Sequence, residues 1–286
     1  MPDSAVHPVS PASPGACHAR LVLGFADDAG TTRLVERSHF GPLRVQKALY
    51  PEGGAVCHAI VVHPPGGVLG GDQLAITATV GAAAHAFLTS PGAAKWYKAN
   101  GHVSRQRVHL HAGAGASVEW LPQESIFFDQ AHVALEHSVT LAADATYIGC
   151  EILCLGRRAS GESFNSGKLT QLTQIRRAGQ LIWWEQGALL GGGAMARSPL
   201  GLHGRSVCAS LLAVGKPLPA AALASLREAG EGAGGQFGLT HMKGVVSARY
   251  LGDDSEQARR VMLAVWQRLR PFLLERAALV PRIWNT

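Results

Sequence analysis

Four carboxylates of this chain stand in turn-like stretches, away from any charged helix face: Asp72, Glu124, Asp129 and Glu162. Carboxylates in such places cap backbone amides or pair with a nearby arginine. In a wet passage they can also pass a divalent cation, since such ions accept oxygen and nitrogen ligands. His109 and His111 flank Leu110 on one strand face, about 6–7 Å apart, close enough to grip an ion but with no third and fourth ligand in view. Cys150 and Cys154 lie four residues apart. On a strand that spacing is about 13 Å, too far for one ion, so buried structural thiols are expected. No Gly-x-Ser-x-Gly elbow or ordered Ser/Asp/His set supports nucleophilic catalysis.

The densest stretch is His63-Pro64-Pro65-Gly66-Gly67-Val68-Leu69-Gly70-Gly71-Asp72. It joins the apolar run Ala59–Val62 to the alternating run Leu74–Val80 and is expected to be a tight turn between two strands. Its glycines resemble a phosphate cradle, but no Gly-Lys-Ser/Thr follows, and a strand rather than a helix comes next. An enzyme or anion-binding protein using the Gly66–Asp72 loop is the alternative function this stretch leaves open.

The elements that must position these residues are mainly strands. Strand, small-residue corner and strand recur with corners after Val80, Leu110 and Leu141, about every 30 residues, and a fourth such unit is expected around Ile175–Trp183. Helical crossovers are missing between them, so stacked β-coils or serial hairpins are expected rather than a doubly wound sheet. Val133, Leu135, Val139 and Leu141 share one strand face, with His132, Glu136, Ser138 and Thr140 on the other. Helices gather at the C-terminal end. One is expected over Ala220–Glu228. A longer one runs over Glu256–Leu269, capped by Asp254 or Ser255, with Ala258, Val261, Met262, Val265 and Leu269 inward, Arg259, Arg260 and Arg268 outward, and Pro271 kinking or ending it. The fold class is therefore mainly β, a β-helix-like body of stacked short strands with about two α-helices in the C-terminal part. Residues 1–16, rich in Pro, Ser and Ala, are expected to be a disordered tail before a single domain over 17–286.

Of 286 residues, 47% are hydrophobic, enough for a sizeable core, and only 16% are charged, which suits a surface partly covered by partners. The net charge of +6 has no basic run longer than a pair, so nucleic acid is not an expected partner. No secretory start and no run of about 18 apolar residues is visible, and the five cysteines are an odd number. A cytoplasmic chain with reduced thiols and no membrane span is expected.

The glycine stretch resembles the signature of the urease accessory protein UreD (UreH) family. Thr89–Tyr97, Glu119–Glu124 with Phe128-Asp129, Gly156–Glu162, and the closing segments Leu269-Arg270-Pro271 and Pro281–Thr286 resemble that family's further motifs, in the family's order. One departure is Pro91, where many relatives have Gln. The resemblance implies a non-catalytic urease maturation factor. Such a chaperone joins the accessory proteins UreF and UreG to the urease apoprotein, in a dimeric accessory assembly, and helps deliver Ni(II) through an internal tunnel. It implies no permanently bound cofactor, only transient Ni(II). On that footing Asp72 and Glu162 are candidates for lining or shaping the nickel passage. Arg282 and Trp284, residue types enriched at interface hot spots, are candidates for the partner interface; Trp284 could equally seal the core.

Overall fold

The computed structural model describes residues 15–285; nearly all of the expected 1–16 tail lies outside them. The chain begins with β1 (His18–Asp28), β2 (Thr31–Phe40), β3 (Arg44–Leu49) and β4 (Cys57–Val62). The coils follow as β5 (Gln73–Val80), β6 (His85–Thr89), β7 (Ala94–Trp96), β8 (Ser104–Ala112), β9 (Ser117–Trp120), β10 (Ser125–Phe127), β11 (His132–Leu141) and β12 (Thr146–Leu155). Then come β13 (Lys168–Arg177), β14 (Gln180–Leu190), a one-turn α1 (Ala194–Arg197) and β15 (Val207–Val214). The chain closes with α2 (Ala220–Arg227), β16 (Gln236–Met242), β17 (Val245–Gly252) and α3 (Ser255–Leu274).

The strands form a β-solenoid with two main walls. One wall, sheet A, runs β14-β13-β11-β8-β5-β1-β2; the other, sheet B, runs β16-β17-β15-β12-β9-β6-β4-β3. Within the coils β5, β8, β11 and β13 pair in parallel, as do β4, β6, β9 and β12. Each small-residue corner carries the chain from wall A to wall B, and the corners stack. Gly113 donates to the Val80 carbonyl at 2.8 Å, and Ala142 to Ala112 at 2.9 Å. Small residues there let backbone meet backbone, so every coil satisfies its polar groups on the next.

A third, short edge closes each coil. On it β7, β10 and the end of β12 pair in parallel, and Val68 bridges to Trp96. The glycine stretch is therefore not a tight turn between paired strands. β4 and β5 belong to different walls, and residues 63–72 run along the third edge between them. The expected fourth unit also differs. β13 and β14 form an antiparallel hairpin within sheet A, because Ala178 and Gly179 both take positive φ (49° and 79°), the geometry of a two-residue hairpin turn.

Alternation in the coils points one face inward. Leu23, Ala78, Leu110, Val139 and Ile175 lie side by side across sheet A, all buried. The opposite face of sheet B is covered by α2 and α3. Asp254 caps α3, accepting from the Glu256 and Gln257 amides, and the Ala258, Val261, Met262, Val265 and Leu269 stripe is buried. Each such large apolar side chain contributes about 1.5–3 kcal/mol of burial before entropy is counted. Pro271 does not end α3, which continues to Leu274 and stops at Glu275 with φ 56°. Arg259 is half-buried rather than outward and pairs with Glu124.

Candidate functional site

Motif residues from successive coils stack on the third edge. Gly67 packs under the Tyr97 ring so closely that a Cβ would overlap it. Tyr97 meets Phe128 edge-on at 4.8 Å, and the Arg157 guanidinium lies 4.4 Å over the Phe128 ring. Glu162 holds Arg157 from below, accepting from Nη2 at 2.6 Å and Nε at 3.1 Å, and takes the Asp129 amide at 2.8 Å. Arg157 outweighs burial and lowers the Glu162 carboxyl below its ordinary value. Asp129 in turn accepts from the amides of Asn165 and Ser166, both at 2.8 Å. These carboxylates stitch one loop to the next.

Asp72 is buried and does similar work at the first coil. Its two oxygens accept from the amides of Cys17 and Leu69, each at 2.8 Å. The amides of Gly66 and Val68 go to the carbonyls of His63 and Lys95. With those amides engaged and a carboxylate among them, the loop is poorly suited to cradling phosphate. The structure thus brings Asp129 and Glu162 together and leaves Asp72 apart, beside His63 at the start of the motif.

A cavity of about 400 Å³ lies between the two walls behind this edge. Leu74, Gln106 and Leu135 line it from sheet A, and Thr89, Trp120 and Glu151 from sheet B. These are consecutive coils, so the cavity extends along the solenoid. Its signal in the sequence is faint: Gln106 and Gln171 are amides in a row of inward positions shared with Ala19, Leu74 and Leu135. Three nitrogens on its wall, His63 Nε2, Trp120 Nε1 and Gln123 Nε2, are buried without a protein partner, which marks a space that suits water. Burial lowers the affinity of His63 for a proton, despite Asp72, so its imidazole is neutral and free to ligate.

Glu151 is the cavity's carboxylate. It accepts from Gln171 Nε2 at 2.8 Å. Burial pushes its carboxyl from the ordinary 4.5 to about 7, against the Gln171 hydrogen bond. Beyond it, at the far side, Arg249 and Glu185 pair at 2.6 Å. The folded chain holds a proton on Glu151 that the unfolded chain has released, so stability falls as pH rises from 4.5 towards 7. Glu151→Gln is expected to stabilise the fold by about 1–3 kcal/mol at pH 8 and hardly at all at pH 4. Urea unfolding at the two pH values checks this.

Reasoning from sequence missed a second polar cluster, between sheet B and α3. The Arg270 guanidinium is fully buried. It forks onto Glu52 at 2.7 and 2.9 Å and reaches Glu119 at 3.1 Å through Nε. Glu119 also accepts from Trp266 Nε1 at 2.7 Å and meets His85 at 2.8 Å, while Glu52 meets His58 at 2.7 Å. Burial alone would raise the Glu52 carboxyl, but hydrogen bonds from His58 and Arg270 bring it down to about 2. The available signal was an arginine in the inward stripe of α3, beside Leu269 and one turn from Trp266.

That cluster also anchors the C-terminal segment, since Arg270 donates to the Ala277 carbonyl. Trp284 packs 6.2 Å from Trp266 and 6.3 Å from Phe87, and its Nε1 donates to Thr89 Oγ1 at 2.8 Å on the cavity wall. Arg282 is exposed.

Elsewhere, burial pushes the Cys154 thiol to about 12 and that of Cys150 well up, so both stay protonated and are poor ligands. His109 Nδ1 is 2.6 Å from Ser138 Oγ. Among the described residues no group of three or more His, Cys, Asp or Glu side chains is arranged to hold a metal ion, and no helix is long and apolar enough to cross a membrane.

The sequence profile of the UreD urease accessory proteins matches residues 17–285. The chain belongs to the UreD family. It is 63% identical to the urease accessory protein UreD of Janthinobacterium sp. (strain Marseille), over 94% of this chain and 91% of that one. It is 54% identical to the UreD of Nitrosospira multiformis, over 96% of this chain and all of its relative, and 45% identical to that of Methylobacillus flagellatus, over 94% of each. The segments that resemble the family's motifs lie in the stacked third edge, in the cavity wall around Thr89–Tyr97, and in the Arg270 cluster with its C-terminal tail.

Proposed function

We propose that the chain is a non-catalytic urease maturation factor that passes Ni²⁺ along its interior to the urease apoprotein. The observation that carries this reading is the cavity: His63, whose burial keeps its imidazole neutral, and Glu151 line a space between two rigid walls. Ligands this sparse bind a cation and release it, as a conduit requires and a storage site does not. Nickel is cargo here, with no resident metal or cofactor. Asp72 and Glu162 shape the passage by fixing the loops that bound it rather than by offering free oxygens.

The proposed partners are the accessory proteins UreF and UreG and the urease apoprotein, in a dimeric assembly in the cytoplasm. Support for a partner comes from the end of the solenoid at β14 and β16. There Leu181, Trp184, Leu190, Met195, Leu200 and Met242 are exposed, and solenoid ends that are apolar require a cover. Arg282, exposed beside Trp284, is available to the same assembly.

The test is urease activation in cells that lack their own copy of this gene and carry Glu151→Gln. At limiting nickel we expect activation to fall about tenfold or more with normal levels of soluble protein, and to recover with excess nickel. Unchanged activation at limiting nickel removes the conduit.

A further inference from the structure

Among the described residues α2 and α3 cover sheet B, whereas on sheet A the one-turn α1 reaches only β14, and no helix packs over β1, β5 and β8. Largely parallel sheets are ordinarily covered on both faces. Across β2, β1, β5, β8 and β11, Phe40, Arg20, Ala75, Arg107 and Glu136 stand in one outward row, and His18, Gln73 and Arg105 begin the next. Where the rows meet, His18, Arg20, Phe40, Gln73 and Arg107 line a groove of about 310 Å³.

The charges on this groove do not balance. Glu136 alone serves both Arg107, at 3.0 Å, and Arg105, at 3.8 Å. Among the described residues neither the Arg20 nor the His18 side chain has an ionic or hydrogen-bond partner. Phe40, at its edge, is 64% exposed. Three guanidinium groups to one carboxylate favour an anionic visitor, and guanidinium forks fit carboxylates in particular. The exposed ring beside them suits a segment that carries apolar side chains as well as acids.

We propose that this groove docks an extended, carboxylate-rich segment of a partner protein. Arg20 and Arg107 take its carboxylates, Arg107 exchanging or sharing Glu136, and Phe40 takes an apolar side chain. The proposal stands apart from nickel passage, because the groove opens on the outer face and the cavity on the inner.

The probe is a fluorescein-labelled hexaglutamate peptide, titrated by anisotropy against the purified full-length chain at low salt. Arg20→Glu with Arg107→Glu should raise Kd at least about tenfold. Arg227→Glu with Arg260→Glu makes the same change of net charge on exposed positions of α2 and α3, and should leave Kd within about twofold. Phe40→Ala should have no effect on hexaglutamate but weaken a Glu-Leu-Glu-Glu-Leu-Glu peptide. No binding by the wild-type chain, an equal loss in both double variants, or displacement of the peptide by inorganic phosphate at millimolar concentration would overturn the assignment. All five positions are exposed, and circular dichroism of each variant confirms the fold before titration.

Discussion

Arg270→Ala is expected to cost about 3–5 kcal/mol of folding stability, among the largest effects of any single substitution in this chain. The change leaves Glu52 and Glu119 facing each other in a buried site with no guanidinium between them. It also frees the Ala277 carbonyl and with it the hold on the C-terminal segment. The pH dependence distinguishes this cause from lost packing. In the wild-type chain Glu52 is held at about 2, so its contribution is complete above the ordinary 4.5 and is lost as pH falls towards 2. In the variant the two carboxylates repel, and protonating them brings relief. The gap between wild type and variant should therefore be widest near pH 7 and close as pH falls below about 4.5. Denaturant unfolding at pH 7 and pH 4 measures both arms; an equal gap at the two values would show that packing, not charge, sets the cost.

Gly70→Ala is the second large effect, at about 2–4 kcal/mol. A Cβ at Gly70 would lie 2.5 Å from the carbonyl carbon of Ala99 and overlap its oxygen. The obstacle is backbone in the next coil, which cannot turn aside as a side chain would. The loop must lift, and the Leu69 amide, one residue away, would be pulled from Asp72. Gly92→Ala is the matched comparison. It sits in the second motif, on the cavity wall, yet a Cβ there meets nothing within 4 Å. Its stability should stay within about 0.5 kcal/mol of wild type. Similar melting points for the two variants would mean that the first motif is not held by close stacking.

Both substitutions fall in motifs whose physical contents linear reading described only in part. The glycines of the first motif look like a turn or an anion cradle because both need glycine. The structure uses Gly67 and Gly70 for close approach between coils and Gly66 and Gly71, at φ 75° and 96°, to turn the chain; no local pattern says which glycine does which. Asp72 and Glu162 stand in loops, where a carboxylate either holds amides and arginines or offers itself to a cation. In the fold their oxygens hold backbone amides and Arg157, and Glu151, which lay unremarked between Cys150 and Ile152, is the carboxylate that lines the cavity.

Local chemistry wrote much of the architecture into the chain. Alternating apolar positions, small residues at corners about every 30 residues, the Asp254 cap and the apolar stripe of α3 each act within a few residues of themselves. They state β-coils and C-terminal helices without reference to anything distant. Tertiary structure alone decided which residues meet. Glu119 and Arg270 are 151 residues apart, and so are joined only once sheet B has formed and α3 has settled on it. The cavity exists only because two walls, each legible by itself, face one another across amides that alternation would have filled with apolar side chains. A periodic pattern specifies which face of a strand turns inward; what lies opposite that face depends on the closure of the coils, and that is a property of the whole chain.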